Sequence, residues 1–265
     1  PSRGRGCAGR ESGGLVGRDE RAEGAAGDGL RAGGRVSVER ADGGLAGRDV
    51  ELVGGCQQGG VTHGDAVGER VGGVFDPQGP GLAGGEDTLI VSQFTPTWTA
   101  GRHTKPEDIP STTVPIIRTD RAGSATWHGP GQVVVYPVVR LKEPVDLVQW
   151  IRAVEASVID TVREAWGLPV HRVEGRAGVW LTEEGRRDRK ICAIGLKVAR
   201  GATLHGIALN VDIDPAHAFE GIIPCGLTDA DVTSLSWEGV HTTVAEAATQ
   251  LIPRMVERIA PCLAT

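Results

Sequence analysis

The chain has 265 residues, of which 40% are hydrophobic and 23% are charged, and its formal net charge is -6. This length suffices for one substantial domain with a buried core or for two small ones. Because acidic and basic residues are interspersed, the charge pattern gives no reason to expect nucleic acid or an anionic membrane as a partner.

Targeting signals and cysteine usage indicate the compartment. No apolar run approaches the roughly 18 residues that a membrane-spanning helix needs, and no signal-peptide pattern opens the sequence. The cysteines are odd in number and widely scattered, at Cys7, Cys56, Cys192, Cys225 and Cys262. This arrangement favours reduced thiols in the cytoplasm over a disulfide framework, and it lacks the spacing of a zinc site. We therefore expect a cytoplasmic protein without a metal.

The first 85 residues differ in composition from the rest. They contain 26 of the 40 glycines and lack lysine, tryptophan and tyrosine. This segment has no convincing helical or strand period, and such sequence buries too little apolar surface to offset its backbone entropy. We predict a low-complexity segment over residues 1–85, either disordered or a misread start of the gene, and a catalytic domain over residues 86–265.

The catalytic domain shows the pattern of a folded α/β protein. Short runs of β-branched and apolar residues are bounded by glycine, proline or charged turns, as is typical of strands. Helical patterns between them are few, so we predict the α/β (α+β) fold class, with a mixed β-sheet and helices packed on it. The predicted strands are residues 89–92, 114–118, 133–141, 170–173, 178–181, 191–198 and 204–211.

Two helices are predicted within this domain. Apolar residues recur at helical spacing between positions 147 and 162, and Gly167 follows as a stop signal. A second helix starts at Thr243, which forms a capping box with Glu246. Pro253 lies inside this second helix, and we expect it to kink or split the helix.

Three segments place small and reactive residues where core packing would not select them. Residues 121–132 crowd polar side chains into one loop and contain Gly-Pro-Gly, a tight turn that lets backbone approach a ligand. Residues 190–195 begin with one of only four lysines in the chain. The third segment joins an apolar strand containing His, Gly and Asn to a Pro-Cys-Gly sequence, residues 224–226, at a strand-to-loop junction. Each segment also has a simpler explanation on its own. The first could be a surface turn, the second a solvated strand end, and the third could contain a packed cysteine.

Taken together, these motifs resemble the lipoyl(octanoyl) transferase family. Its members carry Arg-Gly-Gly-x-x-Thr-Tyr-His-Gly-Pro-Gly-Gln, Lys-Ile-Ala-x-Ile-Gly, His-Gly-x-Ala-Leu-Asn and Pro-Cys-Gly, and the order and spacing match across residues 88–265. Four linked motifs are far more specific than any one alone. The chain departs from the pattern at Ala122, Trp127 and Cys192, where the family has glycine, tyrosine and alanine, and we expect Cys192 to be packed and inert. The family's amino-terminal strand and helix have no counterpart that we identify in residues 1–85.

The resemblance implies a fold similar to the catalytic module of biotin and lipoate ligases. It also implies transfer of an octanoyl group from acyl carrier protein to a lysine on lipoyl domains of 2-oxo-acid dehydrogenases or on the glycine-cleavage H protein. Cys225 is then the acyl-enzyme nucleophile and Lys190 favours its thiolate form. No cofactor is implied, since a thioester donor needs neither ATP nor a metal. The acyl substrate is expected to contact Arg121, Ala122, Gly123, Ser124, Ala125, Thr126, Trp127, His128, Ala193, Ile194, Gly195, Gly206, Ile207 and Ala208.

A lysine and a cysteine suit this reaction chemically. A free thiol with a pKa near ~8.5 is only a few per cent ionised at neutral pH, and a neighbouring ammonium favours the anion. We expect the pair to exchange one proton during attack and release, and backbone amides near Gly195 or Gly206 to stabilise the oxyanion. His128 and His205 are expected to line or orient the pocket rather than to act as the base.

Three alternatives remain open on the sequence. An ATP-dependent lipoate or biotin ligase would retain activity after Cys225→Ala. A thiol hydrolase would depend on His128 or His205 instead of Lys190. A non-catalytic carrier-binding relative would form no octanoyl adduct at Cys225.

Overall fold

A computed structural model describes residues 34–37, 49–52, 87–111 and 115–264. Within these ranges the chain forms twelve strands and three α-helices, in agreement with the predicted mixed fold class. The strands are β1 (Gly34–Ser37), β2 (Asp49–Leu52), β3 (Thr88–Ser92), β4 (Thr97–Ala100), β5 (Ile116–Arg118), β6 (Ala125–His128), β7 (Gln132–Val138), β8 (His171–Val173), β9 (Arg176–Leu181), β10 (Arg189–Ala199), β11 (Ala202–Asn210) and β12 (Asp231–Val232). The helices are α1 (Leu147–Trp166), α2 (Pro215–Ala218) and α3 (Val244–Ile259).

Nine of these strands form one mixed sheet, in the order β1-β2-β3-β7-β11-β10-β9-β8, with β12 pairing in parallel with β10. A second sheet has the order β5-β4-β6. All seven predicted strands have counterparts, with ends shifted by at most three residues. The sequence analysis missed β4, β6 and β12, because β4 and β6 have only four residues each, half of them polar, and β12 has only two residues.

Most of the predicted low-complexity segment lies outside the described residues, so that assignment stays a prediction. The exceptions are β1 and β2, which pair antiparallel with Gly34 opposite Leu52. Leu52 also pairs in parallel with Leu89 of β3 and so extends the large sheet at its edge. Strands pair through backbone hydrogen bonds, which do not require an apolar side-chain pattern. The sequence pattern therefore did not predict β1 and β2.

The main hydrophobic core lies between the large sheet and the helices α1 and α3. Trp150, Val154, Val158 and Val162 form the buried stripe of α1, whereas Leu147 at its start is half exposed. The Asp146 side chain caps the helix by accepting from the Gln149 backbone N–H at 2.9 Å. The helix ends as predicted at Gly167, whose φ of 68° is left-handed.

The second long helix is continuous across its proline. Thr243 and Glu246 form the predicted capping box, with the Thr243 backbone N–H donating to Glu246 Oε2 at 2.8 Å. Pro253 does not split the helix, since α3 runs unbroken to Ile259, and the alternative expectation of a kink stays a prediction. Pro253 removes one backbone donor, but burial of Leu251 and its apolar neighbours against the core compensates for this loss.

The small sheet packs through its own apolar cluster, which Trp127 forms with Ile213, Ala218 and Ile222. This cluster includes residues of α2 and of the segment that leads to residues 224–226. The face of the small sheet opposite this cluster and the face of the large sheet opposite the helices enclose a cavity between them. The four motif segments meet at this cavity.

Candidate active site

Cys225 lies on a single turn of 3-10 helix, Pro224–Gly226, rather than at the end of a strand as the sequence had indicated. Its own φ is 58° and that of Gly226 is 67°, so two successive residues have left-handed backbone conformations. A non-glycine residue in this region is uncommon and is held there by its surroundings. The turn leaves the thiol half-buried at the edge of the cavity.

Lys190 reaches this thiol from the large sheet. It lies near the start of β10, and only 6% of the residue is exposed. Its Nζ donates to Cys225 Sγ at 2.9 Å. The two residues are 35 positions apart in the sequence, and the fold brings them into direct contact as the resemblance had implied.

The turn that carries Cys225 is held by Asp108, which the sequence analysis did not identify. The Asp108 carbonyl accepts from the Ile223 backbone N–H at 2.8 Å, and its buried carboxylate accepts from the Ser124 hydroxyl. The same carboxylate accepts from the Lys105 backbone N–H at 2.9 Å. Asp108 therefore links the cysteine turn to the strand of the first motif. One sequence signal for the role of Asp108 was its position three residues after Lys105, a spacing typical of a side chain that caps a nearby backbone N–H.

A cavity of about 440 Å³ opens beside Cys225, a size typical of small-molecule sites. Twelve of the fourteen predicted substrate contacts line it. The further lining residues are Phe94, Thr97, Thr99, Ile117, Arg118, Thr119, Asp120, Tyr136, His205 and Cys225 itself. Sequence reasoning missed most of these because they lie outside the four motif segments.

Ala125 and Trp127 do not line the cavity and are corrections to the predicted contact set. Both lie on β6, where side chains alternate between the two faces of the sheet. Ser124, Thr126 and His128 therefore face the cavity, and the two intervening residues pack in the apolar cluster behind it. The sequence analysis had treated this segment as a loop, for which the alternation could not be applied.

Arg121 brings a second positive charge to the site. Its guanidinium donates to the Thr99 carbonyl at 3.0 Å, to the Thr99 hydroxyl at 2.9 Å and to the Ala122 carbonyl at 3.0 Å. These acceptors are neutral, and no carboxylate in the described part of the chain pairs with Arg121. Burial lowers the pKa of Arg121, and the negative charge of an ionised Cys225 opposes that shift.

The two cavity histidines are placed away from the nucleophile's proton. His128 Nδ1 lies 3.2 Å from Gln132 Oε1, and burial together with the charge of Arg121 lowers the pKa of His128 to about 4. His205 Nε2 lies 2.7 Å from Asp120 Oδ1, while burial lowers the pKa of His205. Cys225 has its hydrogen bond with Lys190 instead, which agrees with the expectation that the histidines line the pocket.

Gly195 and Gly206 face each other across the β10–β11 ladder. A Cβ on Gly206 would lie 1.9 Å from the Val135 carbonyl oxygen, so this glycine is required for close pairing with β7. A Cβ on Gly195 would lie 3.1 Å from Arg121 Cδ, within the cavity wall. The role of nearby backbone amides as an oxyanion site stays a prediction.

Cys192 is fully buried, as expected for a packing residue. Burial raises the pKa of its thiol strongly, although the charge of Lys190 opposes this. Its side chain points to the helix-covered face of the sheet, in the main core. Among the described residues, no group of three or more His, Cys, Asp or Glu side chains is arranged to hold a metal ion.

Comparisons with known proteins agree with this geometry. Residues 81–256 match the family model of the lipoyl protein ligase A/B catalytic domain. An octanoyltransferase of Mycobacterium sp. (strain KMS) is 48% identical over 180 residues, which is 67% of this chain and 75% of that protein. An octanoyltransferase of Mycolicibacterium smegmatis is 52% identical over 169 residues, covering 63% and 73% of the two chains.

Two solved structures share the fold. A lipoate-protein ligase A bound with ATP has a TM-score of 0.52 at 17% identity, over 67% of this chain and 74% of that one. A bi-partite lipoate protein ligase from Thermoplasma acidophilum has a TM-score of 0.53 at 18% identity, over 67% and 72%. At such identities the likeness shows the fold alone, and it confirms the predicted ligase-like module.

Proposed function

The chain belongs to the lipoyl(octanoyl) transferase family and is an acyltransferase, and from this we propose that it transfers an octanoyl group from acyl carrier protein to a lysine of lipoyl domains through an acyl-enzyme at Cys225. The observation that carries the proposal is the 2.9 Å contact between Lys190 Nζ and Cys225 Sγ at the edge of the cavity. An ammonium at this distance favours the thiolate, which is the reactive form of the nucleophile.

In the first half-reaction, the Cys225 thiolate attacks the carbonyl carbon of the donor thioester. The carbon–sulfur bond to the carrier then breaks, and the Lys190 ammonium gives its proton to the leaving thiolate. This leaves an octanoyl thioester at Cys225, a neutral Lys190 and a free carrier thiol. Because the donor is already an activated thioester, the step requires no ATP.

In the second half-reaction, the amine of the acceptor lysine attacks the Cys225 thioester. The neutral Lys190 accepts the proton that the attacking nitrogen loses as the amide forms. The carbon–sulfur bond breaks and Cys225 leaves as a thiolate, so the starting ion pair is restored. Thioester-to-amide transfer is downhill, and the products are an octanoyl-lysine and the original enzyme.

The cavity supports an acyl chain as the bound group. Ile117, Ala208 and Phe94 contribute apolar surface to its walls, while Ile194 and Ile207 belong to the main core and border the cavity from there. Burying a methylene group in such surroundings contributes about 0.8 kcal/mol. Backbone amides near Gly195 are the proposed donors to the oxyanion.

The proposed acceptors are the lipoyl domains of 2-oxo-acid dehydrogenases or the glycine-cleavage H protein. The relatives named octanoyltransferase support the octanoyl group, and the family's lipoyl ligase domain supports a lipoyl-domain acceptor. In the described part of the chain no helix combines the length and the apolarity needed to cross a membrane. The cytoplasmic location rests on the scattered cysteines and stays a prediction.

Intact mass spectrometry tests the proposal. The purified chain is incubated with octanoyl acyl carrier protein without ATP, and the adduct is mapped by peptide sequencing. We expect one octanoyl group at Cys225, its loss in Cys225→Ala, and its retention in the matched variant Cys192→Ala. An adduct that requires ATP would indicate a ligase, and no adduct at all would indicate a carrier-binding protein.

A further inference from the structure

The Lys190 ammonium is buried without a carboxylate. Within the described residues it forms no ion pair, and two groups contact its charged end. One is Cys225 Sγ at 2.9 Å, and the other is the ring of Trp180, whose centroid is 4.6 Å from Nζ. Removing an ammonium from water costs several kcal/mol unless its surroundings compensate, so both contacts matter for its position.

Two residues of strand β9 lie beside the Lys190 side chain and determine its direction. Trp180 is paired with Lys190 in the β9–β10 ladder, is fully buried, and donates from Nε1 to the Arg176 carbonyl at 3.3 Å. Two residues earlier on the same face, Gly178 leaves the space that the lysine stem occupies. A Cβ there would lie 3.3 Å from Lys190 Cε. The tryptophan face and the glycine gap together direct Nζ towards the sulfur.

We infer that Trp180 is a positioning residue for the reaction: its ring holds the Lys190 ammonium against Cys225 through a cation–π contact. The inference rests on the proposed function, in which Lys190 serves Cys225. The quadrupole of an aromatic ring attracts a cation over its face, and most strongly where water is excluded. The contact acts in the free enzyme, where Lys190 is charged, because the proposed mechanism leaves Lys190 neutral once Cys225 is acylated.

The charged groups around the pair are consistent with this role. On β9, the Arg176 guanidinium is 5.8 Å from the same ring, but it forms an ion pair with Asp188 at 3.4 Å. On β10, Cys192 is a buried thiol whose pKa burial raises. Arg121 lies on the cavity side of Cys225 and carries a positive charge.

Among the described residues, no carboxylate of the remaining elements pairs with Lys190. The nearest to the cysteine turn is Asp108, which lies against Gly226 and accepts from the Ser124 hydroxyl and the Lys105 backbone N–H. On its other side β12 pairs with Lys190 through Val232, which is apolar. Behind the sheet, Glu155 of α1 acts electrostatically on Cys192 and is engaged by Arg152 at 2.8 Å. Trp180 is therefore the contact besides Cys225 that stabilises the charge of Lys190.

A double-mutant cycle on the full chain tests the inference without any acyl substrate. The rate of Cys225 alkylation by iodoacetamide, followed by peptide mapping, reports the thiolate across neutral and alkaline pH. We expect Trp180→Leu to lower this rate about 5- to 10-fold at neutral pH and to move the half-maximal pH upward. Trp180→Phe, which keeps an aromatic face, should lose less. In a Lys190→Met background, Trp180→Leu should have no further effect.

The control is Trp150→Leu, which removes another fully buried tryptophan from the main core. It should destabilise the fold while leaving the pH dependence of alkylation unchanged. If Trp180→Leu lowers the rate equally with and without Lys190, the residue acts through general packing and the inference is wrong. If the coupling is present but octanoyl carrier protein gives no adduct, the positioning role stands and the proposed acyl transfer fails.

Discussion

The reactive centre contains one thiol and two buried cations, neither of which forms an ion pair with a carboxylate among the described residues. Lys190 contacts the Cys225 sulfur directly, while Arg121 is held by the neutral acceptors of Thr99 and Ala122. Such a centre favours an anion at the sulfur position. The difference between the two cations is chemical, because an ammonium can release its proton and a guanidinium cannot.

Replacing Lys190 by arginine should separate charge from proton transfer. Lys190→Arg keeps a positive charge beside Cys225, so alkylation by iodoacetamide should stay within about 3-fold of the original rate. Octanoyl transfer should fall by about 100-fold or more, since the guanidinium cannot protonate the leaving thiol. Lys197→Arg on the same strand is the matched control and should retain transfer. A Lys190→Arg variant with normal transfer would exclude the lysine as the acid.

His128 should make the stability of the protein depend on pH. Its folded pKa of about 4 is below the unfolded value near 6.5, so the unfolded chain binds more protons between these values. The contribution of neutral His128 is fully present above about pH 6.5 and is lost as the pH falls towards 4. His128→Gln should flatten this part of the curve, as measured by urea unfolding at several pH values. An unchanged slope would contradict the assigned burial effect.

At the level of elements, local signals were strong wherever a helix or strand has a regular pattern. The caps at Asp146, Gly167 and Thr243 define the helix ends through hydrogen bonds within a few residues. Pro253 is the exception, because the buried face of α3 overrides a local helix breaker. Secondary structure therefore followed the sequence where the apolar pattern was regular, and departed from it at Pro253 and at the short strands without such a pattern.

Pro253→Ala should stabilise the protein. Alanine restores the backbone donor missing from the interior of α3 and removes the ring from an exposed position, so the free energy of unfolding should rise by about 1 to 3 kcal/mol. Urea denaturation measures the change, with Gln250→Ala as an exposed control in the same helix. A decrease in stability would mean that the packing of α3 depends on a bend at the proline.

At the scale of the whole molecule, the site exists because two sheets meet. The cavity takes one wall from β4, β5 and β6 and the other from β7, β10 and β11, and the cysteine turn closes its edge. An acyl chain bound there contacts both sheets at once. Binding of an acyl chain in the cavity should therefore stabilise the entire domain, since the acyl chain is buried only in the folded state.

Octanoylation of Cys225 should raise the melting temperature above that of the acetylated enzyme by about 5 °C or more. The two adducts differ by about six methylene groups, each contributing up to ~0.8 kcal/mol when buried, and each kcal/mol shifts the midpoint by about 2–4 °C in a domain of this size. Scanning calorimetry on samples whose adduct is verified by mass measures the difference. Equal melting temperatures for the two adducts would show that the octanoyl chain lies outside the cavity.

The sequence by itself determined seven of the twelve described strands, the two long helices and the four motifs, because each depends on residues close together in the chain. The motifs also identified Lys190 and Cys225, but only through their resemblance to a family. The tertiary structure decided what no local pattern encodes. It placed Lys190 Nζ at 2.9 Å from the sulfur, turned Trp127 away from the cavity, and brought Asp108 and Trp180 to the reactive pair. These relations follow from the pairing and packing of distant segments, whose side chains acquire a common direction only when the two sheets are assembled.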